Sequence, residues 1–436
     1  MLTQEENERL TQVGPGTPGG DFLRRYWQPA ALSEELPPDG APIPLRLLGE
    51  DLTLFRDQQG RPGLLGIHCS HRGADLSYGR IEDGGLRCLY HGWLYDVEGR
   101  CLEQPGEPVR DADSEPRESG AFGAGSTFHE RIKHTAYPCH EQAGMIFAYL
   151  GPGQPPLLPN YEFLTVPSEY VFATKYHYAC NYVQGNEGNF DPQHLSFLHR
   201  FFKTGQGERE QAHQAYHTGD VCPTIDPVET DFGMHLYAVR KVDGNRHFVK
   251  VRSFIMPSAG AVASRGEAGY NVNWHVPIDD ENHWRYSIVF SRDAPIDEAT
   301  VRRERTGLAA DYHLERSKAN RYLQDREEMK TETFIGMGRN FVVHDAWATE
   351  GEGPIYDRAT EHLGYTDRGI IALRKLMLQA IDDVQAGRDP LGVVRDVETN
   401  EWPDLVARDD VLPAGVPWQY HWRRPARERE TARTRT

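Results

Sequence analysis

Cysteine is scarce in this chain, with six among 436 residues. That count argues against a disulfide scaffold and fits a reducing compartment. Long apolar runs are missing as well, since none approaches the roughly 18 residues needed to cross a bilayer. The first ten residues, MLTQEENERL, are too acidic and polar for a secretory signal. Positive charge is in deficit: 48 Lys and Arg face 65 Asp and Glu, a formal net charge of −17. Such a balance argues against nucleic acid as a partner and favours solubility. No Gly-rich dinucleotide motif, flavin-site text or internal repeat is present. The expectation is a cytoplasmic protein with neither a nucleic-acid nor a membrane partner. One basic stretch breaks the pattern, RRPARERETARTRT, and residues 423–436 are expected to form a disordered tail rather than a binding arm.

What remains is an ordinary globular composition, 38% hydrophobic and 26% charged, in a chain long enough for two or three domains. Residues 1–40 show a short helical pattern, then PGTPGGDFLRRYW, where Gly and Pro break the chain before an aromatic anchor. From about Pro44 come short strands with frequent turns: PLRLLGEDLTLFRD, PGLLGIHC, GGLRCLYHGWLYD and GRCLEQP. This spacing predicts a small antiparallel β domain over 41–150, with GEPVRDADSEPRESGAFGAGS as an exposed loop. PGQPPLLPNYEF reads as a linker near 151–162. Beyond it, LYAVRKVDGNRHFVKVRSFIM is two strands about an Asp-Gly turn, and VNWHVPIDDENHWRYSIVF repeats the theme. Helical patterns near 297–330 and 366–386 complete an α+β domain on an antiparallel sheet over 160–422.

Two Cys/His pairs stand in the β domain: Cys69-Ser70-His71, then sixteen residues, then Cys88-Leu89-Tyr90-His91. Thiolate and imidazole are common metal ligands, so the paired spacings point to a metal. Ligand count alone leaves a structural zinc open. One Cys and one His on each of two loops equally suits a [2Fe–2S] cluster with two Cys on one iron and two His on the other. Cys101, Cys139, Cys180 and Cys222 lack such pairing and are expected to be small buried hydrophobes.

In the second half, DPQHLSFLHR gathers Asp191, His194 and His199. Asp-Pro is an ordinary helix start, with Asp191 as N-cap and Pro192 first in the helix. Histidines five residues apart lie roughly 140° apart on a regular helix. If both reach one ion, the helix must be distorted between them, by a π-type bulge or an irregular first turn.

CSHRGADLSYG and LRCLYHGWLYDVEGRCLEQPG resemble the two cluster loops of Rieske non-haem iron oxygenases, down to the Arg-Gly after the first His and the Gly-Trp after the second. The resemblance runs over nearly the whole chain, from GPGTPGGDFLRRYW to EHLG. It implies that Cys69 and Cys88 hold one iron of a [2Fe–2S] Rieske cluster, and His71 and His91 the other. Neutral imidazoles in place of thiolates would raise the potential of that cluster above an all-Cys one. The family's catalytic domain carries Asp-x2-His-x4-His, met here by Asp191, His194 and His199. The implied ligands of a mononuclear Fe(II) are His194 and His199, with a late Asp. Two imidazoles and one carboxylate on one face leave positions for O2 and substrate. Asp191 is implied as a bridge to the Rieske centre of a neighbouring subunit. GPIYDR followed by EHLG resembles the phthalate-dioxygenase-like branch, which places the third ligand at Asp345. The plain alternative at Asp345 is a solvent-exposed helix acid, and Asp357 is the second choice of ligand. His344 departs from the pattern, where Gln is expected. Asn181, Gln184 and Glu187 resemble the family's lead-in, as orienting groups or simple polar helix residues. His235 and His275 lack metal spacing and are expected to be structural.

The implied protein is the oxygenase (alpha) subunit of a mono- or dioxygenase, with O2 as co-substrate. Electrons from NAD(P)H would come through a separate reductase, with or without a ferredoxin domain. The family's outcomes are cis-dihydroxylation, monohydroxylation and O- or N-demethylation of a small aromatic. The branch favours a carboxylated one, with Lys250 and Arg252 in HFVKVRSFIM as anion partners or else solvated strand charges. A homotrimer, or a stack of two, is expected. A different class stays open: a Rieske-type electron-transfer or binding protein without mononuclear iron catalysis.

Overall fold

In the computed structural model, the described residues are 1–107, 128–202, 208–263, 269–304 and 307–422. Most of the expected loop at GEPVRDADSEPRESGAFGAGS, and the tail 423–436, lie outside them.

Alternating apolar positions in the first third form three small antiparallel sheets. One joins Gln28–Leu32 and Cys139–Gln142 to either side of Met145–Ala148. Another runs Ile43–Leu47, Glu50–Arg56, Pro62–Gly66 and Ala136–Tyr137. The last runs Arg80–Glu82, Gly85–Arg87, Leu94–Tyr95 and Cys101–Glu103. A separate small core of Phe55, Leu65, Leu76, Leu86, Trp93 and Tyr95 fills the space beneath Cys69 and Cys88.

The second part is built on one antiparallel sheet, eight-stranded among the described residues. Val171–Tyr178 pairs His283–Ser291, which pairs Gly269–Pro277, then Ala259–Ala263, Arg246–Ile255, Gly233–Asp243 and Thr224–Glu229. Arg408–Pro413 also pairs Arg246–Ile255. The Asp-Gly hairpin forms as its letters predict.

Three helices bring the chemistry to this sheet: Tyr182–Phe190, Phe341–Gly351 and Arg368–Gln385. The last buries Leu373, Met377, Ala380, Ile381 and Val384, spaced to make one apolar stripe. Gly185 lets the first helix lie against the sheet, because a Cβ there would stand 2.2 Å from His275 Nδ1. The two parts share one core, in which Phe147 meets Trp274 with ring centroids 5.8 Å apart.

The helical pattern near 297–330 does not survive folding. Among the described residues it is a helix over Glu298–Glu304, followed later by a tight stretch at Lys318–Leu323 and one helical turn at Glu328–Thr331. Arg321, Tyr322 and Leu323 adopt positive φ, and among the described residues of this region only Leu314 and Tyr322 are buried in the core, with Leu308 and Tyr312 packed partly against it. Two buried apolar side chains do not make the stripe that stabilises a long helix.

Candidate metal centres

The two cluster loops fold by the same rule. Cys69 N–H donates to Ala74 O, and Gly73 N–H to Cys69 O, both at 2.8 Å. In the second loop Cys88 N–H donates to Trp93 O at 2.8 Å, and Gly92 N–H to Cys88 O at 3.0 Å. Each five-residue turn closes on a glycine in the left-handed region, with φ of 72° at Gly73 and 76° at Gly92. The thiols of Cys69 and Cys88 are buried, while His91 is exposed and His71 half-buried. The two imidazole rings meet at 4.4 Å, and Trp93 stacks on His71 at 4.5 Å.

Tyr95 Oη lies 3.2 Å from Cys69 Sγ. Burial raises the phenol well above its ordinary range, so it stays protonated and donates to a thiolate. Burial likewise raises Cys88, against which the backbone N–H groups of Tyr90 and His91 work by hydrogen bonding to it. His134 locks the first loop: its Nε2 stands 2.7 Å from Gly66 O, and its Nδ1 2.7 Å from Ser70 Oγ. Because only a protonated Nε2 can bond a carbonyl, Nδ1 accepts and the Ser70 hydroxyl donates. Tyr95 and His134 carry no spacing signal, and nothing in the sequence singled them out.

At the second centre the helix Tyr182–Phe190 starts on Asn181, whose side chain accepts from Val183 N, and stops at Asp191. Asp191 is therefore at the end of one helix and not the N-cap of another, and Pro192 opens no regular helix. A single tight turn follows over His194–Ser196. The cause lies in partners from afar. Arg240 Nη2 donates to Pro192 O at 2.7 Å, and Arg252 Nη1 to Asn189 O at 2.5 Å and Asp191 O at 3.4 Å. Asp191 itself still accepts from Gln193 N at 2.7 Å and His194 N at 3.2 Å. The irregular geometry that the histidine spacing demanded is present.

His194, His199 and Asp345 bring one donor atom each within 4.8 Å of one another, alone in doing so among His, Cys, Asp and Glu of the described residues. His199 Nε2 is 3.0 Å from Asp345 Oδ1. Two donors each about 2.1 Å from a common ion and 90° apart would stand about 3.0 Å from each other. His344 Nε2 lies 2.9 Å from Gly338 O and must donate to it, so His344 Nδ1 accepts from His199 Nδ1 at 3.1 Å. That fixes the His199 tautomer and leaves Nε2 as the free lone pair. His194 Nδ1 faces Asp191 Oδ2 at 3.4 Å, which leaves its own Nε2 free. Arg285 Nη1 donates to Asp345 Oδ2 at 3.1 Å and to Tyr178 Oη at 2.7 Å.

Burial brings His199 down to about 4. Desolvation pushes Asp345 up, but His199 and Arg285 outweigh it and hold the carboxyl well below its usual range. At neutral pH His199 is thus a neutral imidazole beside an ionised Asp345, the forms that bind a metal.

Asp357 is exposed, caps Ala359 N at 3.0 Å and joins no such group. Glu187 is no simple polar helix residue. It is buried between Arg358, which donates to both its oxygens at 2.8 and 2.9 Å, and Arg374 at 2.6 Å. Gln184 donates to Thr349 O and Gly353 O. Both tie the first helix to the segment following Asp345. Arg252 is buried on backbone carbonyls and is not a solvated strand charge, while Lys250 lies 4.0 Å from Asp409. His235 and His275 are buried in hydrogen bonds, to Ser253 Oγ and to Asn189 and His283. Cys101 and Cys180 are buried as expected and Cys139 half-buried, but Cys222 is exposed, in a turn capped by Asp220.

Residues 26–112 match the family model described as Rieske [2Fe-2S] domain, and residues 148–434 the one described as LigXa C-terminal domain like. The chain is 35% identical over 413 residues to phthalate 4,5-dioxygenase oxygenase subunit of Pseudomonas putida, covering 90% of this chain and 89% of that one. It is 32% identical over 420 residues to 5,5'-dehydrodivanillate O-demethylase oxygenase subunit of a Sphingobium species, covering 94% and 88%. In fold it is similar to the oxygenase in an oxygenase–ferredoxin complex of carbazole 1,9a-dioxygenase, with a TM-score of 0.56 at 21% identity over 91% of this chain and 97% of that one.

Proposed function

As this chain belongs to the Rieske non-haem iron oxygenases, as an oxygenase alpha subunit, we propose that Cys69, Cys88, His71 and His91 hold its [2Fe–2S] cluster, and that His194, His199 and Asp345 hold its mononuclear iron. The observation that carries this is the 3.0 Å approach of His199 Nε2 to Asp345 Oδ1 beside His194. The cluster residues fit as well. No three of the four share donor atoms within 4.8 Å, whereas a tetrahedral zinc would hold all four donors within about 4 Å of one another. Two buried thiols and two outward rings suit a binuclear cluster better than a single ion.

When bound, the cluster supplies electrons one at a time and the Fe(II) supplies dioxygen activation. The chain's own groups do the positioning. His344 and Asp191 hold the two imidazoles with Nε2 free, and Tyr95 with the amides of Tyr90 and His91 directs hydrogen bonds onto the Cys69 and Cys88 sulfurs that would hold the cluster. Asp191 is the bridge between chains: its side chain keeps 23% exposure at the end of the metal loop. The exposed His91, following the exposed Leu89 and Tyr90, is the matching surface on a neighbouring copy. A homotrimer, or a stack of two, places one on the other. A separate reductase or ferredoxin delivers the electrons, as the ferredoxin-bound carbazole relative suggests.

The substrate is a small aromatic, and the phthalate-degrading relative favours a carboxylated one. Of the two cations singled out for it, Arg252 is committed to the Asp191 loop and Lys250 lies 4.0 Å from Asp409. The test is anaerobic reconstitution followed by a screen of aromatic acids for coupled NADH and O2 consumption. About three Fe per chain and hydroxylated or demethylated product are expected. About two Fe with no substrate-dependent O2 uptake would instead mark an electron carrier, and a colourless zinc protein would defeat both readings.

A further inference from the structure

A carboxylate can meet a metal through one oxygen or through two, and the choice decides how many positions the protein leaves open. At Asp345 the two oxygens have different partners. Oδ1 faces His199 Nε2 at 3.0 Å, on the side of the metal donors. Oδ2 accepts from Arg285 Nη1 at 3.1 Å. Arg285 is not free to drift. It lies on the strand His283–Ser291, is 8% exposed, and Nη1 also donates to Tyr178 Oη at 2.7 Å, with the Tyr178 ring 5.8 Å from its guanidinium. Tyr178 Oη in turn donates to Val342 O at 3.1 Å, in the helix that carries Asp345. Sheet, tyrosine, guanidinium and carboxylate thus form a closed ring of contacts, and turning Oδ2 toward an ion would break a charge-assisted bond in a buried setting.

We propose that Arg285 is a positioning residue that makes Asp345 a one-oxygen ligand, through Oδ1 alone. The inference rests on Asp345 being an iron ligand. Its consequence is one more coordination position free of protein than a two-oxygen carboxylate would leave. A second consequence is a weaker donor, because the guanidinium draws charge from the carboxylate.

The experiment is a crystal structure of the anaerobic full-length protein with Fe(II) in the mononuclear site. Near-infrared magnetic circular dichroism of the Fe(II), with the cluster oxidised, reports coordination number in solution. One Asp345 oxygen on the metal and the other on Arg285 is expected. Arg285→Met should bring both oxygens onto the metal and change the ligand-field bands. Arg285→Lys should restore much of the wild-type spectrum. Two oxygens on the metal in the wild type, or unchanged bands in Arg285→Met, overturn the role of Arg285 while leaving the ligand assignment intact. Metal bound without Asp345 overturns both. Should Arg285→Met fail to fold, the wild-type structure still decides.

Discussion

Glu187 and Arg358 face each other as a bidentate pair, Nε to Oε1 at 2.8 Å and Nη2 to Oε2 at 2.9 Å, with both side chains buried. Arg374 joins Glu187 to Glu361. The text that carries the family likeness near the end of the chain, GPIYDR and EHLG, therefore acts at a distance: Arg358 and Glu361 brace the helix that leads into Asp191.

Removing Arg358 leaves Glu187 Oε2 without its donor, and Arg374 as the single cation between the buried carboxylates of Glu187 and Glu361. Arg358→Ala should cost about 3–5 kcal/mol of stability, read by denaturant unfolding. Asp357→Asn next to it is exposed and should stay within about 0.5 kcal/mol. Equal effects of the two would show the network to be inert.

Tyr95→Phe removes one hydrogen bond from the Cys69 sulfur while keeping the ring. A bond worth about 1–1.5 kcal/mol corresponds to roughly 40–65 mV for one electron, and the potential should fall, since the lost donor favoured the more negative reduced cluster. A redox titration at unchanged iron content checks this.

His344→Leu leaves the His199 Nδ1–H without its acceptor, and Fe(II) affinity should drop about 10–100-fold. His344→Gln can still accept through its side-chain oxygen and should keep most of the affinity. Anaerobic Fe(II) titration separates them. A similar loss in both would mean that His344 acts by packing alone.

Asp191→Asn should retain both metals and slow cluster oxidation in single turnover, if the carboxylate carries electrons between chains. Asn caps the amides of Gln193 and His194 about as well as Asp, so near-normal turnover would limit Asp191 to a cap. A monomer in sedimentation would remove the route altogether.

His177, stacked on His313 at 4.3 Å, has its pKa brought down to about 4 by burial and by that neighbour. Its folded value is below the unfolded one of about 6.5, so the unfolded chain binds the proton first. The stability it contributes is complete above about pH 6.5 and is lost as pH falls toward 4. His177→Phe should flatten the fall in unfolding free energy across that window, and an unchanged slope would exclude His177 as a source.

Much of this was legible in the letters. Paired Cys/His spacings on turn-rich strands bring a Cys and a His together locally, because each pair lies within five residues that one glycine-closed turn can organise. The Asp-Gly hairpin, the α+β class and the helix at 368–385 follow from local turn chemistry and periodicity. The motif singled out His194 and His199, which the fold brings beside Asp345, and their spacing required a broken helix if both were to reach one ion. Tertiary structure alone decided the rest. The course of the chain after Asp191 is bent by Arg240 and Arg252, which come from strands far along the sequence. Asp345 rather than Asp357 meets the histidines because the Phe341–Gly351 helix is docked by Gln184 and Tyr178. The tautomer of His199, the occupied oxygen of Asp345 and the hydrogen bonds on Cys69 depend on single side chains delivered by distant elements. A lone His, Arg or Tyr has no periodicity, so only its position in space shows what it does.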